Sequence, residues 1–217
     1  MTKEELIELL ETYLRRIRFA NDCLISAKSI WSAVLNHNAV INQSSGFFTI
    51  CLLSLERSMC MELAKLYSGS GEERTIEKLN NIIKANQHLF PSEIDCTPTY
   101  VGDSEIEIKR VVHKVNVSDM IETFTKGKVF HEETIKALKA RRNKYIAHND
   151  REYFLDEEKL KKDFPVKLKD VEDLITYTGD YCNKILSSLN RTVIAYHSQN
   201  ADDLSSLLSK VVLNTND

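Results

Sequence analysis

The chain has 217 residues, which is enough for one domain with a hydrophobic core and rather few for two. Apolar residues make up 42% and charged residues 28%, a balance that excludes a disordered chain and is typical of a globular domain. The formal net charge of −3 excludes a strong overall attraction to nucleic acid, so any such binding depends on a local basic cluster. We expect a single domain over residues 1–217.

Glycine and proline are scarce, with six and three residues, which favours long helices over an all-β fold. No apolar run reaches the roughly 18–20 residues of a membrane span, and the N-terminus lacks a signal-peptide pattern. We therefore expect a cytoplasmic protein without a membrane contact. The five cysteines stand singly, and the histidines show neither HxxxH nor HExxH spacing, so we predict reduced thiols, no metal site and no cofactor.

The sequence patterns in the first half of the chain predict helices. Thr2 and Glu5 form a capping-box pattern, and apolar residues then recur every three or four positions from Leu6 to Leu35, which predicts one long amphipathic helix. An Asn- and Ser-rich connection over 36–46 follows. The next segment, from Phe47 to Tyr67, is apolar nearly all round, so we expect it in the centre of a bundle or under a partner subunit.

The second half adds one departure from helical periodicity. Residues 98–118 alternate between β-branched and charged residues, which predicts a hairpin or arm inserted into the helical fold. Helical periodicity resumes at Met120 and continues to the stretch that begins at Lys139. A further long helix is predicted from about Val166. Between them, Asp150–Pro165 reads as a charged, solvated loop. We predict an all-α fold, an up-and-down bundle of four to five helices with a small extended insertion.

The polar chemistry of the chain is concentrated between Lys139 and Asp150, at the predicted end of a helix. Six cations occupy the sixteen residues 136–151, which creates a local electropositive patch. On a helix, Arg142 falls in line with the apolar stripe, where a guanidinium needs a carboxylate or phosphate partner. Helical spacing places Arg141, Tyr145 and His148 together on another face.

This stretch resembles a known signature. Residues 142–148, with the sequence RNKYIAH, are similar to the R-x(4–6)-H motif of HEPN domains, all-helical modules that include many metal-independent ribonucleases. Together with Leu66-Tyr67-Ser68 and the segment 75–79, the continuation RNKYIAHND resembles the HEPN-like abortive-infection proteins of bacteria and phage defence. The resemblance covers about residues 1–90 and 120–200. It implies a homodimer that acts on RNA, and it allows an antitoxin protein as a partner.

RNA carries its own nucleophile in the 2′-hydroxyl, so its cleavage needs only proton transfer and charge stabilisation. We expect His148 to act as the acid/base, Arg142 to bind the scissile phosphate, and Asn143 to orient either group by hydrogen bonding. Further RNA-binding residues are expected in the same stretch: Lys139, Arg141, Lys144 and Tyr145. The sequence thus indicates a metal-independent endoribonuclease of a phage-defence or toxin–antitoxin system.

Several alternatives stay open at this point. Arg141 also fits the motif, with six intervening residues, although the Asn that directly follows Arg142 favours the latter. Arg142 and His148 could instead have a structural role, paired with Glu56 or Glu62 or bonded to carbonyls at a helix end. The domain could then be a non-catalytic HEPN-like module that binds RNA, a nucleotide or a protein, or a helical interaction protein without RNA affinity.

Overall fold

The computed structural model describes residues 1–68, 74–95, 112–147, 157–189, 194–196 and 203–210. The predicted all-α fold is confirmed, since helices dominate these ranges. The α-helices are α1 (Lys3–Asn36), α2 (Asn38–Gln43), α3 (Ser45–Leu66), α4 (Ile76–Ala85), α5 (Val117–Gly127), α6 (Glu132–Arg141), α7 (Glu157–Asp163), α8 (Leu168–Ser187) and α9 (Asp203–Leu208). Short 3-10 turns span Gln87–Leu89 and Lys128–His131, and a π-helix spans Arg142–Ala147.

The long helix α1 is the element on which the bundle is built. Its start is fixed by the predicted capping box, in which Thr2 Oγ1 accepts from the Glu5 amide at 3.2 Å and Glu5 Oε2 accepts from the Thr2 amide at 2.7 Å. These bonds satisfy amides that have no partner within the helix. The apolar stripe faces inward, with fully buried side chains at Leu6, Leu10, Leu14, Ile17 and Leu24.

The helices α3 and α8 pack along α1. α3 runs back along α1, because Arg16 on α1 pairs with Glu62 near the end of α3 at 3.9 Å. At the other face, Lys28 Nζ lies 2.8 Å from Glu172 Oε2 at the start of α8. One continuous cluster of buried side chains joins α1, α3, α4, α5, α6 and α8, so these helices share a single core.

The apolar helix α3 is enclosed over only half of its length. Its second half is buried, and there Cys60 Sγ donates to the Leu138 carbonyl of α6 at 3.4 Å. Its first half faces outward, with Phe47 at 64%, Ile50 at 66% and Leu53 at 39% exposure. The expectation of a helix in the centre of the bundle therefore holds for the second half alone, since α6 packs against α3 near its C-terminal end.

Two loop expectations need revision. The 36–46 connection contains α2, and the charged segment Asp150–Pro165 contains α7, whose Leu160 is 5% exposed. The prediction of a solvated loop is therefore wrong for residues 157–163. These residues form a helix, and the apolar side chain of Leu160 is buried away from bulk solvent. Residues 150–156 lie outside the described part of the chain.

Residues 112–114 of the predicted insertion form β2 (Val112–Lys114), which pairs antiparallel with β1 (Glu93–Asp95), with Ile94 opposite His113. The last two residues of the insertion already belong to α5. Most of the predicted arm over 98–118 lies outside the described residues, so the arm itself stays a prediction. Among the helices that the structure describes, none is both long and apolar enough to cross a bilayer.

Candidate functional site

The predicted site begins in α6 and continues into the π-helix Arg142–Ala147. A π-helix has a wider turn than an α-helix, is rare, and occurs frequently at functional sites. The prediction that Arg141, Tyr145 and His148 share one face assumed α-helical spacing, and it stays a prediction. His148 itself and the side chain of Tyr145 lie outside the described residues.

Arg142 is held by two other side chains. Its Nε donates to Asn143 Oδ1 at 2.9 Å, and its Nη1 donates to Ser68 Oγ. Ser68 is buried directly after α3 and donates its own proton to the Ala64 carbonyl at 2.8 Å. The half-buried guanidinium of Arg142 is therefore oriented from two elements that lie 74 residues apart in the sequence.

Of the two carboxylates that the sequence offered as structural partners, Glu56 and Glu62, the latter forms ion pairs with other side chains. Glu62 Oε1 accepts from Lys65 Nζ at 3.2 Å, and Glu62 Oε2 lies 3.9 Å from Arg16. This is the pairing with a neighbour one turn away that is common for helix-surface charges. Glu62 therefore has partners of its own on α1 and α3.

Arg141 points to a different part of the fold. Its Nε donates to the Phe164 carbonyl at 2.8 Å, just after α7. Burial lowers the pKa of the Arg141 guanidinium, while the nearby Cys60 thiol and Glu56 carboxylate raise it. Lys144 Nζ lies 5.7 Å from the centre of the Phe164 ring, within the range of a cation–π contact. The structure therefore brings Arg141 and Lys144 together at Phe164.

An apolar groove of about 470 Å³ lies next to Arg141, between the end of α1, the first half of α3 and α7. Trp31, Leu52 and Leu53 line it together with the charged side chains of Glu56 and Arg57. It adjoins the exposed apolar side chains of α1 and α3: Trp31, Leu35, Phe47, Ile50 and Leu53. We call this exposed apolar area the α1/α3 surface, and among the described residues it forms an exposed face of the bundle.

Of the remaining predicted site residues, Lys139 is half-buried on α6, and Asn143 is exposed at the start of the π-helix. Sequence reasoning missed Ser68 and Phe164 as contacts of the two arginines. Ser68 was within the Leu66-Tyr67-Ser68 segment of the resemblance, but an uncharged residue at a helix end gives no signal of a distant partner. In the described ranges, no three His, Cys, Asp or Glu side chains are grouped as metal ligands would be.

A helical bundle with an oriented Arg–Asn pair just after α6 has the features expected of a HEPN-like domain of the abortive-infection type. The chain belongs to the AbiU2 family of HEPN proteins, whose family model, HEPN_AbiU2, matches residues 3–207. The match spans nearly the whole chain and confirms the resemblance drawn from the sequence. No curated protein and no solved structure matches the chain.

Proposed function

We propose that this protein is a metal-independent endoribonuclease that acts in phage defence or in a toxin–antitoxin system. The observation that carries the proposal is the orientation of Arg142 by Ser68 and Asn143. A guanidinium held in place before the reaction stabilises charge on a phosphate without the cost of reorganising its donors. The Arg-plus-His composition of the family motif supplies the second group that the reaction needs.

In the proposed reaction, His148 accepts the proton of the RNA 2′-hydroxyl, and the 2′-oxygen attacks the adjacent phosphorus. The bond from phosphorus to the 5′-oxygen breaks, and that oxygen takes up a proton from water as it leaves, while the protonated His148 later returns its proton to water. The products are a 2′,3′-cyclic phosphate and a 5′-hydroxyl. Arg142 binds the phosphate oxygens and stabilises the charge that develops on them. An imidazole has an intrinsic pKa of about 6.5, so it can accept and release this proton at neutral pH.

RNA on either side of the cleaved bond would be held by the basic residues of the same stretch. Arg141 and Lys144 both contact Phe164, and Lys139 lies two residues before Arg141 on α6. We propose that these cations and Tyr145 bind neighbouring parts of the RNA strand. Binding should then weaken with added salt, because each neutralised phosphate releases condensed counterions.

We further propose that the protein acts as a homodimer, with an antitoxin protein as a further candidate partner. Support comes from the α1/α3 surface, where Ile50 is 66% and Phe47 is 64% exposed. Contiguous apolar surface of this kind is typical of protein interfaces. Since Arg141 and the α1/α3 surface border the same groove, a second copy packed there would lie beside the proposed RNA-binding residues.

The test is cleavage of mixed cellular RNA in EDTA by the wild-type protein, His148→Ala and the matched control His88→Ala. His88 is an exposed histidine in the 3-10 turn after α4, far in sequence from the motif. We expect the wild type and His88→Ala to cut equally and His148→Ala to lose about 10²–10⁴-fold in rate. Equal cleavage by His148→Ala, or cleavage that EDTA abolishes, would contradict the mechanism.

A non-catalytic binding module is the second candidate. It is favoured by the fact that Arg141 and Arg142 both donate to oxygen atoms of the protein, as arginines with a structural role do. This candidate predicts salt-dependent RNA binding by the wild type and no cleavage by any variant. A protein without RNA affinity would instead support the reading as a helical interaction protein.

A further inference from the structure

We propose that the groove between α4 and α5 is a subsite for one unpaired RNA nucleotide, next to the phosphate that Arg142 would hold. The inference rests on the proposed RNA substrate and adds a second contact region to it. The groove has a volume of about 340 Å³, at the lower end of the roughly 300–1,000 Å³ typical of ligand pockets. This size suits a single nucleotide better than a duplex.

Ser68 connects the groove to the motif. It lines the groove, and the same hydroxyl oxygen accepts the Nη1 proton of Arg142. Ser68 therefore borders the groove, and its hydroxyl contacts the guanidinium that would bind phosphate. A strand whose phosphate reaches Arg142 would have its neighbouring nucleotide at this opening.

Two lysines stand at the groove, one towards each end. α5 runs back along α4, because Gln87 Nε2 after α4 donates to Ser118 Oγ at the start of α5 at 3.1 Å. Lys128, directly after α5, is thereby brought beside the start of α4 and Ser68. Lys84 lies in the last turn of α4, about 12 Å along the helix from Ile76 at ~1.5 Å per residue. Cations so placed can meet successive phosphates of one strand.

The wall of the groove offers hydrogen-bond donors in a fixed orientation. Tyr181 donates its hydroxyl proton to Asn80 Oδ1, so the amide oxygen faces the core and the NH₂ group is directed away from it. A carboxamide NH₂ supplies two donors. Asn81 and Thr125 add further polar groups to the same groove. Donors and cations together suit a ligand rich in acceptors, such as a nucleobase edge with its phosphate.

Recognition by base stacking on Phe124 is excluded by its neighbours. The Phe124 ring stacks on Tyr181 with centres 4.0 Å apart and on Tyr177 with centres 4.7 Å apart. Both stacking partners come from α8, and Phe124 is only 4% exposed. The subsite therefore reads a nucleotide through edge hydrogen bonds and charge. The negative charge of Glu77, which lines the groove, opposes the binding of an anion. Removal of this charge should therefore strengthen RNA binding, whereas removal of a lysine charge should weaken it.

The experiment measures binding of a fluorescent single-stranded RNA, 2′-O-methylated to prevent cleavage, by anisotropy at several salt concentrations. Lys128→Ala should weaken binding about 3–10-fold and reduce the slope of log K against log salt by about 0.7. Lys126→Ala is the matched control, since Lys126 lies two residues before Lys128, in the last turn of α5, with Nζ 2.6 Å from Glu122 Oε1. It should bind within about twofold of the wild type.

Two further variants probe the wall of the groove. Asn80→Asp keeps an acceptor for Tyr181 but replaces the NH₂ donor with a negative oxygen, so it should weaken binding by about tenfold or more. Glu77→Gln removes the opposing charge and should tighten binding by about 2–5-fold. Circular dichroism melts of each variant establish that the fold is intact.

The outcomes separate this inference from the proposed function. In one outcome the wild type binds RNA with a salt-dependent slope, the RNA affinity of Lys128→Ala equals that of Lys126→Ala, and the affinity of Asn80→Asp equals that of the wild type. This outcome refutes the subsite and leaves the RNA substrate in place. If the wild type shows no salt-dependent binding, both are refuted. The predicted pattern of binding changes supports the subsite, whether or not unmodified RNA is cut.

Discussion

The bond between Arg142 and Ser68 makes a quantitative prediction about stability. Ser68→Ala removes the oxygen that accepts the Arg142 Nη1 proton. Hydrogen bonds to charged groups contribute about 1.5–3 kcal/mol, and because Arg142 is only half-buried, water can replace part of the loss. The Ala64 carbonyl keeps a backbone partner in the Tyr67 amide, so it is not left unsatisfied. We expect Ser68→Ala to lower the free energy of unfolding by about 1–2 kcal/mol.

A double-mutant cycle with Arg142→Ala isolates this interaction. The free energy of unfolding is measured by urea denaturation for the wild type, both single variants and the double variant, and we expect a coupling energy of about 1 kcal/mol. Ser188→Ala is the matched control, since Ser188 is also buried and donates to the carbonyl four residues earlier, at 2.7 Å from Lys184 O. A Ser68–Arg142 coupling below about 0.3 kcal/mol would refute the view that Ser68 holds the guanidinium.

Three further predictions concern the surface and the titrating groups. Ile50→Glu should convert a dimer to monomers in light scattering, whereas Phe130→Glu, at an 87% exposed position elsewhere, should not. Cys51 is half-exposed, while burial raises the pKa of Cys60 to about 11. Iodoacetamide should therefore alkylate Cys51 more than about tenfold faster than Cys60, as measured by peptide mapping with mass spectrometry. Equal rates would contradict the burial of Cys60. Burial raises the pKa of Tyr13 to about 12 from 10.0, so its stabilising contribution is complete below pH 10 and is lost between pH 10 and 12. Urea unfolding at pH 9, 10 and 11 should show this loss, and Tyr13→Phe should reduce it.

Local patterns in the sequence were sufficient for most of the helices. The capping box at Thr2 and the apolar stripe of α1 are local properties, because the helical repeat sets which residues share a face. The all-α class follows from such stripes and from the scarcity of Gly and Pro. The resemblance of the sequence to HEPN-like abortive-infection proteins agrees with the family to which the chain belongs. Each of these inferences depends on residues close together in the chain.

The tertiary structure decided what depends on distant residues. Ser68 meets Arg142 because α3 and α6 pack against each other, and no local pattern records a contact across 74 positions. Periodicity also could not show that α3 is exposed over its first half, since an apolar helix looks the same in sequence whether another helix of the bundle or a separate subunit covers it. The sequence by itself therefore determined most of the helices and the family. Packing determined which side chains contact Arg142 and which apolar side chains of α3 are exposed in the described part of the chain.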